Sequence, residues 1–477
     1  MYAATTSVAL VSGDVRPVEV QVHVGKQNEQ FKLSGLPDTA VREAKDRVRA
    51  AVVSSGLDFP NRAVTVNLAP AHLPKSGTDF DLAIALGVLA ASREIPHPGR
   101  AVVVGELALD GSVRTGAGSI GAAVLSARSG QPCLVAAAAA SEVATVPGSR
   151  VHGVASLAEA VDVLRSGLDS HPAADAGAPV ETIPQGDLRE VHGQALARRA
   201  IEVAAAGGHH LLMHGPPGGG KTMLARRLPG ILPPLSDEEA VEVALIHAAA
   251  GLRVGISRSR PFRAPHHTAS RAALVGGGTG VVVPGEVSLA HRGVLFVDEM
   301  AEFPRANLDT LRQPLEDGFV TVGRRGVTAT FPAAFQLVAG TNPCPCGFRG
   351  DRRKPCECRP AAVSRYRQRV SGPLLDRFDM VVKVDRLETA GDGEPAPEDS
   401  AGVRRRVAEA RRRLAGEPPE PDRAARQLLA EALKSALLTA RGVERVRRVA
   451  VTIAALACAE RVGDEHVAEA IGLRAEW

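Results

Sequence analysis

The chain has 477 residues, 45% of them hydrophobic, with a formal net charge of +4 and a pI near 8.8. This length predicts about three domains with ordinary cores, and the mild basicity is compatible with a nucleic-acid partner without indicating one. The longest apolar run, residues 82–91, is shorter than the roughly 20 residues that span a bilayer. Because the N-terminus also lacks a signal-peptide pattern, we expect a cytoplasmic protein with no membrane partner.

Residues 1–167 predict a mixed α/β unit, because strand-like alternation and helical spacing follow one another along this stretch. The predicted strands are 18–24, 63–68 and 102–109, and the predicted helices are 40–54, 119–129 and 156–164. The stretches VNLAP, LPKSG, FDLAIALG and GELALDGSVR resemble the Lon-protease-like domain that precedes the ATPase in the ComM/YifB proteins, a family of Mg-chelatase-like AAA+ ATPases. The resemblance implies a Lon-like fold for this unit.

A Lon-type protease needs a serine nucleophile that a lysine activates. Laid on the Lon pattern, the chain has Asp79 at the serine position and Ile120 at the lysine position, and neither side chain can perform that chemistry. We therefore expect a non-proteolytic domain that serves assembly or binds a partner, and the sequence does not choose between these roles. Lys75 and Asp79 are predicted to be ordinary turn residues.

An ATPase core is predicted over residues 187–385, after a Pro- and Ala-rich linker at 168–186. Asp187 is expected to cap the amphipathic helix that opens the core. Residues 191–194 resemble the AAA+ segment that lies beside adenine. The stretch GPPGGGKT, between an apolar run and a helical pattern, is the P-loop pattern G-x-x-x-x-G-K-T.

The P-loop is predicted to bind the phosphates of ATP. Its glycines let backbone N–H groups turn inward around phosphate oxygens, and the helix that starts there points its positive end at the same anion. Lys221 adds a charge for the β- and γ-phosphates, and Thr222 can ligate Mg²⁺. A chance glycine-rich turn is the alternative. The predicted ATP-binding residues are Gly215, Pro216, Pro217, Gly218, Gly219, Gly220, Lys221 and Thr222.

Polar residues follow two further apolar strands. The run at 294–297 ends in Asp298 and Glu299, which is the Walker B pattern of a buried parallel strand. Asp298 is predicted to hold Mg²⁺ through water, and Glu299 to orient and polarise the attacking water. The strand at 335–342 ends in Asn342, which matches the sensor 1 position of AAA+ proteins; the local alternative is an Asn that opens a turn.

Arg324 and Arg325 lie between β-rich runs at 320–322 and 327–331, a pattern that predicts a hairpin. The hairpin resembles the pre-sensor 1 hairpin of the MCM and Mg-chelatase branch of AAA+ proteins. This implies that its tip projects into the pore of a ring, where two arginines suit a DNA backbone. A solvated surface turn is the alternative.

The insert at 260–286 is predicted to be mostly loop because it is rich in proline and glycine. It resembles the helix-2 insert of the same AAA+ branch and is a second candidate pore element. His266 and His267 have no acidic or Cys partner at metal-ligand spacing nearby, so we expect structural or phosphate-facing histidines rather than a metal site.

Four of the cysteines form the pattern C-x-C-x9-C-x-C. In a cytosolic chain this density favours a tetrahedral Zn²⁺ site over disulfides, although C-x-C is tighter than the usual spacing. The alternative is a reduced loop without metal, which would leave the thiols open to oxidation. The predicted zinc ligands are Cys344, Cys346, Cys356 and Cys358.

The C-terminal side adds two arginines. The stretch SGPLLDRFDM resembles the arginine-finger segment of the same branch, which implies that Arg377 reaches ATP bound by a neighbouring subunit; the local alternative is a salt-bridged helix end. A linker at 386–400 then precedes a helical lid at 401–477, and the S/T-x-R pattern of such lids implies that Arg441 is the sensor 2 residue. Arg445 and Arg448 are close enough to be confused with it. The lid helices are predicted at 403–414, 427–440, 443–460 and 464–473.

The resemblance to ComM/YifB proteins covers nearly the whole α/β chain. It implies a homo-oligomeric ring, most simply a hexamer, that hydrolyses ATP to move single-stranded or branched DNA, as in branch migration of transforming DNA. One alternative is a Mg-chelatase-type motor for metal insertion, which the Lon-like domain argues against. Another is an ATP-dependent protease, which Asp79 and Ile120 argue against. The sequence does not identify a protein partner.

Overall fold

The computed structural model describes residues 1–26, 30–177, 186–252, 255–278, 281–324, 327–351, 354–386, 397–435 and 438–474. Both predicted linkers are described only in part, and Arg325 lies outside the described residues. Among the described residues, no helix combines the length and the apolar character needed to cross a bilayer.

The strands are β1 (Tyr2–Val11), β2 (Asp14–Val24), β3 (Gln30–Ser34), β4 (Ala63–Ala69), β5 (Val102–Val103), β6 (Glu106–Leu107), β7 (Val113–Arg114), β8 (Cys133–Ala136), β9 (Val151–Val154), β10 (Leu211–His214), β11 (Phe262–Arg263), β12 (Val294–Val297), β13 (Phe319–Arg324), β14 (Val327–Pro332), β15 (Gln336–Thr341), β16 (Met380–Lys383), β17 (Glu420–Pro421) and β18 (Arg461–Val462). The α-helices are α1 (Thr39–Arg42), α2 (Ala44–Ser54), α3 (Asp81–Ser92), α4 (Ser119–Ser129), α5 (Ala137–Val143), α6 (Leu157–Ser166), α7 (Ala195–Gly207), α8 (Lys221–Ile231), α9 (Asp237–Ala249), α10 (Arg271–Val275), α11 (Glu286–Leu289), α12 (Arg305–Leu308), α13 (Arg312–Asp317), α14 (Pro360–Arg367), α15 (Gly372–Leu375), α16 (Ser400–Ala415), α17 (Arg423–Lys434), α18 (Ala440–Leu456) and α19 (Asp464–Gly472).

The N-terminal residues form a seven-stranded mixed sheet in the order β3-β4-β2-β1-β5-β8-β9. β2 pairs antiparallel with β1 and with β4, and the other neighbours are parallel. Alternate residues of β2 are buried, as its sequence pattern predicts. β1 and β3 have no counterpart among the predicted strands. The buried positions of β1 include the polar residues Thr5 and Ser7.

The single strand predicted at 102–109 is wrong. β5 remains in the large sheet, whereas β6 leaves it and pairs antiparallel with β7. The break lies at Gly105, whose N–H donates to the carbonyl of Asp79 and whose own carbonyl accepts from Leu82, both at 3.0 Å. The backbone at this point therefore bonds to the segment around the start of α3 instead of to a neighbouring strand.

The prediction that Lys75 and Asp79 are ordinary turn residues is wrong for Lys75 and incomplete for Asp79, which lies in a turn but also makes a long-range contact. Lys75 is fully buried, and its Nζ donates to the carbonyl of Leu68 at 2.8 Å and to that of Pro70. Burial lowers the pKa of this ammonium group. Asp79 accepts the N–H of Gly118 at 2.9 Å, so its carboxylate lies just ahead of α4, where the amide donors of a helix end are available.

The second sheet contains five parallel strands in the order β11-β12-β15-β10-β16. Every residue of β10, β12 and β15 is buried, as expected for central strands that are covered on both faces. The segments that follow these three strands contain the P-loop, Asp298–Glu299 and Asn342. Because parallel strands end at a common edge, these segments meet.

Three predicted helix starts need correction. Asp187 caps a 3₁₀ turn at Leu188–Glu190, and the helix that follows begins only at Ala195, because the intervening residues adopt extended and left-handed conformations. The predicted helices at 427–440 and 443–460 are α17 and α18, each beginning about three to four residues earlier. An Asp or Thr N-cap accepts a backbone N–H at each of these starts.

The C-terminal helices share an apolar core with the second sheet, through α7 and α8. A separate core joins the N-terminal sheet to α9 of the central region. It combines residues of α4, including Ile120 and Val124, with Val243 and Ala244 of α9. Ile120 thus packs in the apolar layer between the N-terminal sheet and α9.

Candidate nucleotide site

The P-loop connects β10 to α8, as its flanking patterns predict. Gly218 and Gly220 have φ angles of +77° and +90°, which residues with side chains rarely adopt. At Gly215 the loop passes so close to β16 that a Cβ would lie 1.9 Å from the carbonyl oxygen of Val384. The loop therefore needs glycine for both its curvature and its packing.

Lys221 begins α8 and turns its side chain back toward the loop. Its Nζ donates to the carbonyls of Gly215 at 2.7 Å and Pro216 at 3.0 Å, and lies 3.3 Å from Oδ1 of Asn342. Burial lowers the pKa of Lys221 to about 8, against the opposing attraction of Asp298 and Glu299. A phosphate at this position would favour the charged ammonium form.

Thr222 and Asp298 come from different segments and meet directly. The Thr222 hydroxyl donates to Oδ2 of Asp298 at 2.7 Å. A hydroxyl oxygen beside a carboxylate is an oxygen donor pair that suits Mg²⁺. The two residues fit the predicted magnesium position because β10 and β12 both end at this edge of the sheet.

Glu299 follows in a left-handed backbone conformation, with a φ of 49°. Its carboxylate lies 3.6 Å from Nδ1 of His267, a residue of the insert between α9 and β12. From the sequence, His267 is expected to have a structural or phosphate-facing role. Its position beside Glu299 could not be read from spacing, because it depends on the path of an irregular loop.

Two more side chains lie at the P-loop. Gln194, within the segment that resembles the adenine-side motif, donates to the carbonyls of Gly219 at 3.2 Å and of Asp385. Arg386 donates from Nε to the carbonyl of Pro217 at 2.8 Å. Arg386 was missed by sequence reasoning, which assigned it to a linker, and no local signal marks it.

The two arginines expected to act on ATP bind other partners in this chain. Arg377 donates to Glu316 at 2.6 Å, and Arg441, which is 77% exposed, lies 3.8 Å from Asp376. Neither contact is with the P-loop of the same chain. Within this chain, Arg377 is therefore bound to Glu316 and not to the nucleotide loop.

The residues next to Arg441 bind a buried carboxylate. Asp379 lies 3.3 Å from Arg445 and 3.7 Å from Arg448, and it accepts the backbone N–H of His210 at 3.0 Å. Burial alone would raise the pKa of Asp379, but His209 and the surrounding cations hold it far below its usual value. The arginines that could be confused with Arg441 thus join α18 to the segment after Arg377.

The four predicted zinc ligands converge. Their sulfur atoms all lie within 4.8 Å of one another, and three of the Sγ–Sγ distances are 3.4, 3.6 and 3.6 Å. Tetrahedral Zn–S bonds of about 2.3 Å place sulfurs about 3.8 Å apart, so the donor set fits Zn²⁺. A hydrogen bond with the backbone of Phe348 lowers the pKa of Cys346, while contacts with the neighbouring thiols raise the pKa of Cys356 and of Cys358.

This cysteine loop, residues 344–358, also packs on the P-loop. A Cβ on Gly347 would lie 2.6 Å from Cδ of Pro217. Arg386 stacks over the ring of Phe348 at 5.6 Å while it bonds to Pro217. The cysteine loop and the P-loop are therefore in contact.

The hairpin predicted around Arg324 and Arg325 is present, with β13 and β14 paired antiparallel from Phe319–Pro332 to Arg324–Val327. Its base packs on the rest of the chain through Val320, Val322 and Phe331. Arg324 ends β13, and Arg325 lies outside the described residues.

The parallel sheet and the phosphate-loop geometry define a P-loop protein of the AAA+ type. Residues 187–391 match the family described as magnesium chelatase, subunit ChlI; residues 18–139 match subunit ChlI of Mg-chelatase, and residues 397–474 match its C-terminal family. The competence protein ComM of Haemophilus influenzae is 40% identical over 487 residues, which cover 96% of this chain and 94% of ComM. YifB of Salmonella typhimurium, an uncharacterized protein, is 40% identical over 481 residues, 96% of this chain and 94% of YifB.

A shorter match links the chain to the DNA replication licensing factor mcm-6 of Caenorhabditis briggsae, which is 24% identical over 229 residues, 40% of this chain and 26% of that protein. The full-length matches and the family matches agree in their assignment. The chain belongs to the ComM/YifB family of Mg-chelatase-like proteins.

Proposed function

We propose that this protein is an ATPase that assembles as a ring, most simply a hexamer, and uses hydrolysis to move along single-stranded or branched DNA. The observation that carries the ATPase part is the convergence of Lys221, Asn342 and the Thr222–Asp298 pair at one edge of the parallel sheet. These groups supply a cation and oxygen donors next to a backbone nest that suits phosphate.

The proposed roles follow from these contacts. The P-loop amides and Lys221 bind the β- and γ-phosphates, while Glu299 and Asn342 orient the water that attacks the γ-phosphorus in line. Thr222 and Asp298 would hold Mg²⁺, which when bound neutralises charge on the phosphate oxygens. Attack by water breaks the bond between the γ-phosphorus and the β–γ bridging oxygen and gives ADP and phosphate.

The ring and the trans arginine are supported by Arg377, whose partner in this chain is Glu316 and not the P-loop. In the proposed ring, Arg377 of one subunit reaches the γ-phosphate of its neighbour, and Arg441 of the C-terminal helices completes the charge around ATP. The matches to a magnesium chelatase subunit support assembly into an oligomer.

The domain organisation is part of the same proposal. It comprises a Lon-like, non-proteolytic part at 1–167, the ATPase core at 187–385 with the cysteine loop as a zinc knuckle, and a helical lid at 401–477. The overall chain match to ComM, the convergent sulfurs and the helices α16 to α19 support this division.

DNA as the partner is supported by two relatives, the competence protein ComM and the DNA replication licensing factor mcm-6, and by Arg324 and Arg325, which the sequence has between the two strands predicted for the hairpin. Arginine contacts with DNA phosphates do not depend on the base sequence of the DNA, and a motor that moves along DNA needs contacts of this kind. The family matches also favour a second candidate, a motor that drives metal insertion through a partner protein.

The test compares ATP turnover alone and with single-stranded, duplex, forked and four-way-junction DNA. We expect single-stranded or branched DNA to raise turnover, and the double variant R324A/R325A to lose this rise while it keeps the basal rate. R412A/R413A removes the same charge from α16 and should keep the rise. If no DNA raises turnover and a porphyrin with its metal-inserting partner does, the chelatase function is correct.

A further inference from the structure

A polar cavity of about 460 Å³ lies at the edge of the parallel sheet opposite the P-loop. Gly293, which immediately precedes β12, and Gln336, which begins β15, both line it, whereas the P-loop and Asp298 follow the other ends of these parallel strands. Arg411 of α16 also lines the cavity, so the C-terminal helices and the core both contribute to its wall. Its volume is in the range of cavities that hold small molecules.

Three arginines from separate segments meet at this cavity: Arg260 ahead of β11, Arg292 ahead of β12, and Arg411. Arg260 donates from Nη1 to the carbonyl of Arg292 at 2.7 Å and from Nε to that of Pro233 at 2.6 Å, and its side chain is only 12% exposed. These bonds fix the place of its guanidinium group. Cations that lie this close together repel one another unless anions compensate them.

Two carboxylates at the cavity are already paired with arginines. Glu239 lies 3.7 Å from Arg260 and 3.5 Å from Arg292, and thus serves both of them. Glu316 accepts from Arg377 at 2.6 Å. Neither carboxylate is therefore available as a dedicated partner for a further cation in the cavity.

Arg411 is the arginine of this group that has no carboxylate partner. Its Nε donates to the carbonyl of Ala205 at 2.9 Å, but its Nη atoms have no acceptor, and it forms no ion pair, within the part of the chain that the structure describes. Asp317, which also lines the cavity, is exposed to solvent. Burial, together with the charge of Arg260, lowers the pKa of Arg411 to about 10. Its guanidinium group is thus short of negative charge and keeps free donors.

Guanidinium groups bind phosphate oxygens through parallel N–H donors, and several arginines around one cavity suit a ligand with more than one negative charge. We propose that this cavity binds a small phosphate-bearing ligand, with Arg260, Arg292 and Arg411 as its charged contacts. The bound phosphate ties α16 to the starts of β11 and β12 and so stabilises the packing of the C-terminal helices on the core. Free pyrophosphate and the phosphate chain of a nucleotide share this chemistry. The proposal does not depend on the ATPase reaction.

The test measures pyrophosphate binding by calorimetry to full-length protein that carries K221A, which impairs the P-loop as a second phosphate site. We expect one pyrophosphate per chain, and at least about tenfold weaker binding in K221A/R411A, because charged hydrogen bonds are lost. K221A/R412A removes an exposed arginine from the same helix and should keep the affinity within about twofold. Absence of binding to K221A, or equal binding by K221A/R411A, overturns the proposal.

A second variant and a second readout guard against misfolding. K221A/R411K keeps the charge but lacks the fork of parallel donors, so it should bind pyrophosphate several-fold more weakly than K221A. Unchanged affinity would contradict the role of Arg411. Pyrophosphate should also raise the midpoint temperature of unfolding of K221A and not of K221A/R411A. An equal rise in both variants would show that it binds elsewhere.

Titration of the same variants with ATP and GTP separates the two sources of phosphate. A nucleotide that binds K221A at least about tenfold more tightly than pyrophosphate, and loses this affinity with R411A, identifies a nucleotide as the ligand. Affinity no higher than that of pyrophosphate identifies a free phosphate compound. If pyrophosphate binds through Arg411 but the wild-type protein does not hydrolyse ATP, only the proposed function fails. If the wild-type protein hydrolyses ATP but K221A binds no pyrophosphate, only this inference fails.

Discussion

The protonation of Lys221 should depend on whether a ligand is bound. Burial lowers its pKa to about 8 in the chain by itself, and bound phosphates would raise it. Below pH 8 Lys221 is charged before and after binding, so affinity for ATP should not depend on this group. Above pH 8 binding requires uptake of a proton, so affinity should fall, approaching about tenfold per pH unit.

Calorimetric titration with ATP between pH 7 and 9.5 measures this dependence, and buffers of different ionisation enthalpy count the protons taken up. Lys221→Ala should bind ATP more weakly at every pH and lose the fall above pH 8. Lys434→Ala, which removes an exposed lysine of α17, serves as the control and should retain it. Normal ATP affinity in Lys221→Ala would contradict the P-loop assignment.

At this scale the sequence predicts contacts within a motif well and contacts through loops poorly. The P-loop and Asp298 could be placed because strand–loop–helix patterns fix local geometry and parallel strands end at one edge. His267 and Arg386 could not, because their positions depend on how irregular segments return to the site. Lys75 was misjudged because nothing in its neighbours indicates that a lysine is fully buried.

Among the elements, the cysteine loop combines a metal-ligand set with a contact to the nucleotide loop. Its sulfurs converge within 4.8 Å, and Gly347 within it approaches Pro217 so closely that a Cβ would lie 2.6 Å away. A metal that holds four thiolates stabilises the fold of the segment that carries them. The integrity of this loop should therefore affect ATP affinity as well as zinc content.

Metal analysis of freshly purified, reduced protein should give about one zinc per chain. Cys346→Ser and Cys356→Ser should both lose the zinc and bind ATP several-fold more weakly, because the cysteine loop would no longer pack firmly against Pro217 of the P-loop. Cys458→Ser changes an exposed cysteine outside the cluster and should change neither property. Absence of zinc from the wild-type protein would contradict the metal site. If the variants lose zinc but bind ATP normally, the contact between the cysteine loop and the P-loop does not contribute to ATP affinity.

The helices and strands follow the sequence prediction where local patterns determine them, and they depart from it where tertiary contacts do. The hairpin β13–β14 and helix α4 are where alternation and apolar spacing predict them. β1 was missed because buried Thr5 and Ser7 interrupt its apolar pattern, and the predicted strand 102–109 divides because backbone bonds to the segment around the start of α3 compete with the sheet. Tertiary contacts, which a single sequence does not display, decide both cases.

At the scale of the whole molecule, the proposed ring can be tested directly. If Arg377 completes the site of a neighbour, Arg377→Ala should bind ATP normally and lose at least about 100-fold in turnover. Lys221→Ala should lose turnover by a different route, in its own site. Mixing the two variants creates junctions with an intact P-loop and an intact Arg377, so part of the activity should return in proportion to the mixed junctions. No recovery on mixing would contradict a role in trans.

The N-terminal part and the ATPase core share apolar packing, since α4 and α9 contribute to one buried cluster. A Cβ on Gly13, in the turn between β1 and β2, would lie 3.5 Å from Ile246 of α9 and 3.6 Å from Pro332 at the base of the hairpin. The two parts should therefore unfold in one transition, and ATP should stabilise both by binding only the native state.

Ile120→Asp places a charge in the shared cluster and should lower the free energy of unfolding by about 3 kcal/mol or more. It should also uncouple the unfolding of the N-terminal part from that of the core. Calorimetry should then resolve two transitions, and ATP should raise the midpoint temperature of only one of them. Val53→Asp makes the same type of change at an exposed position of α2 and should leave one transition. If the wild-type protein shows two transitions and ATP raises the midpoint temperature of only one, the cluster does not couple the two parts. A single transition whose midpoint ATP raises as a whole would mean that ATP binding in the core also stabilises the N-terminal sheet, through the packing of α4 and α9 around Ile120.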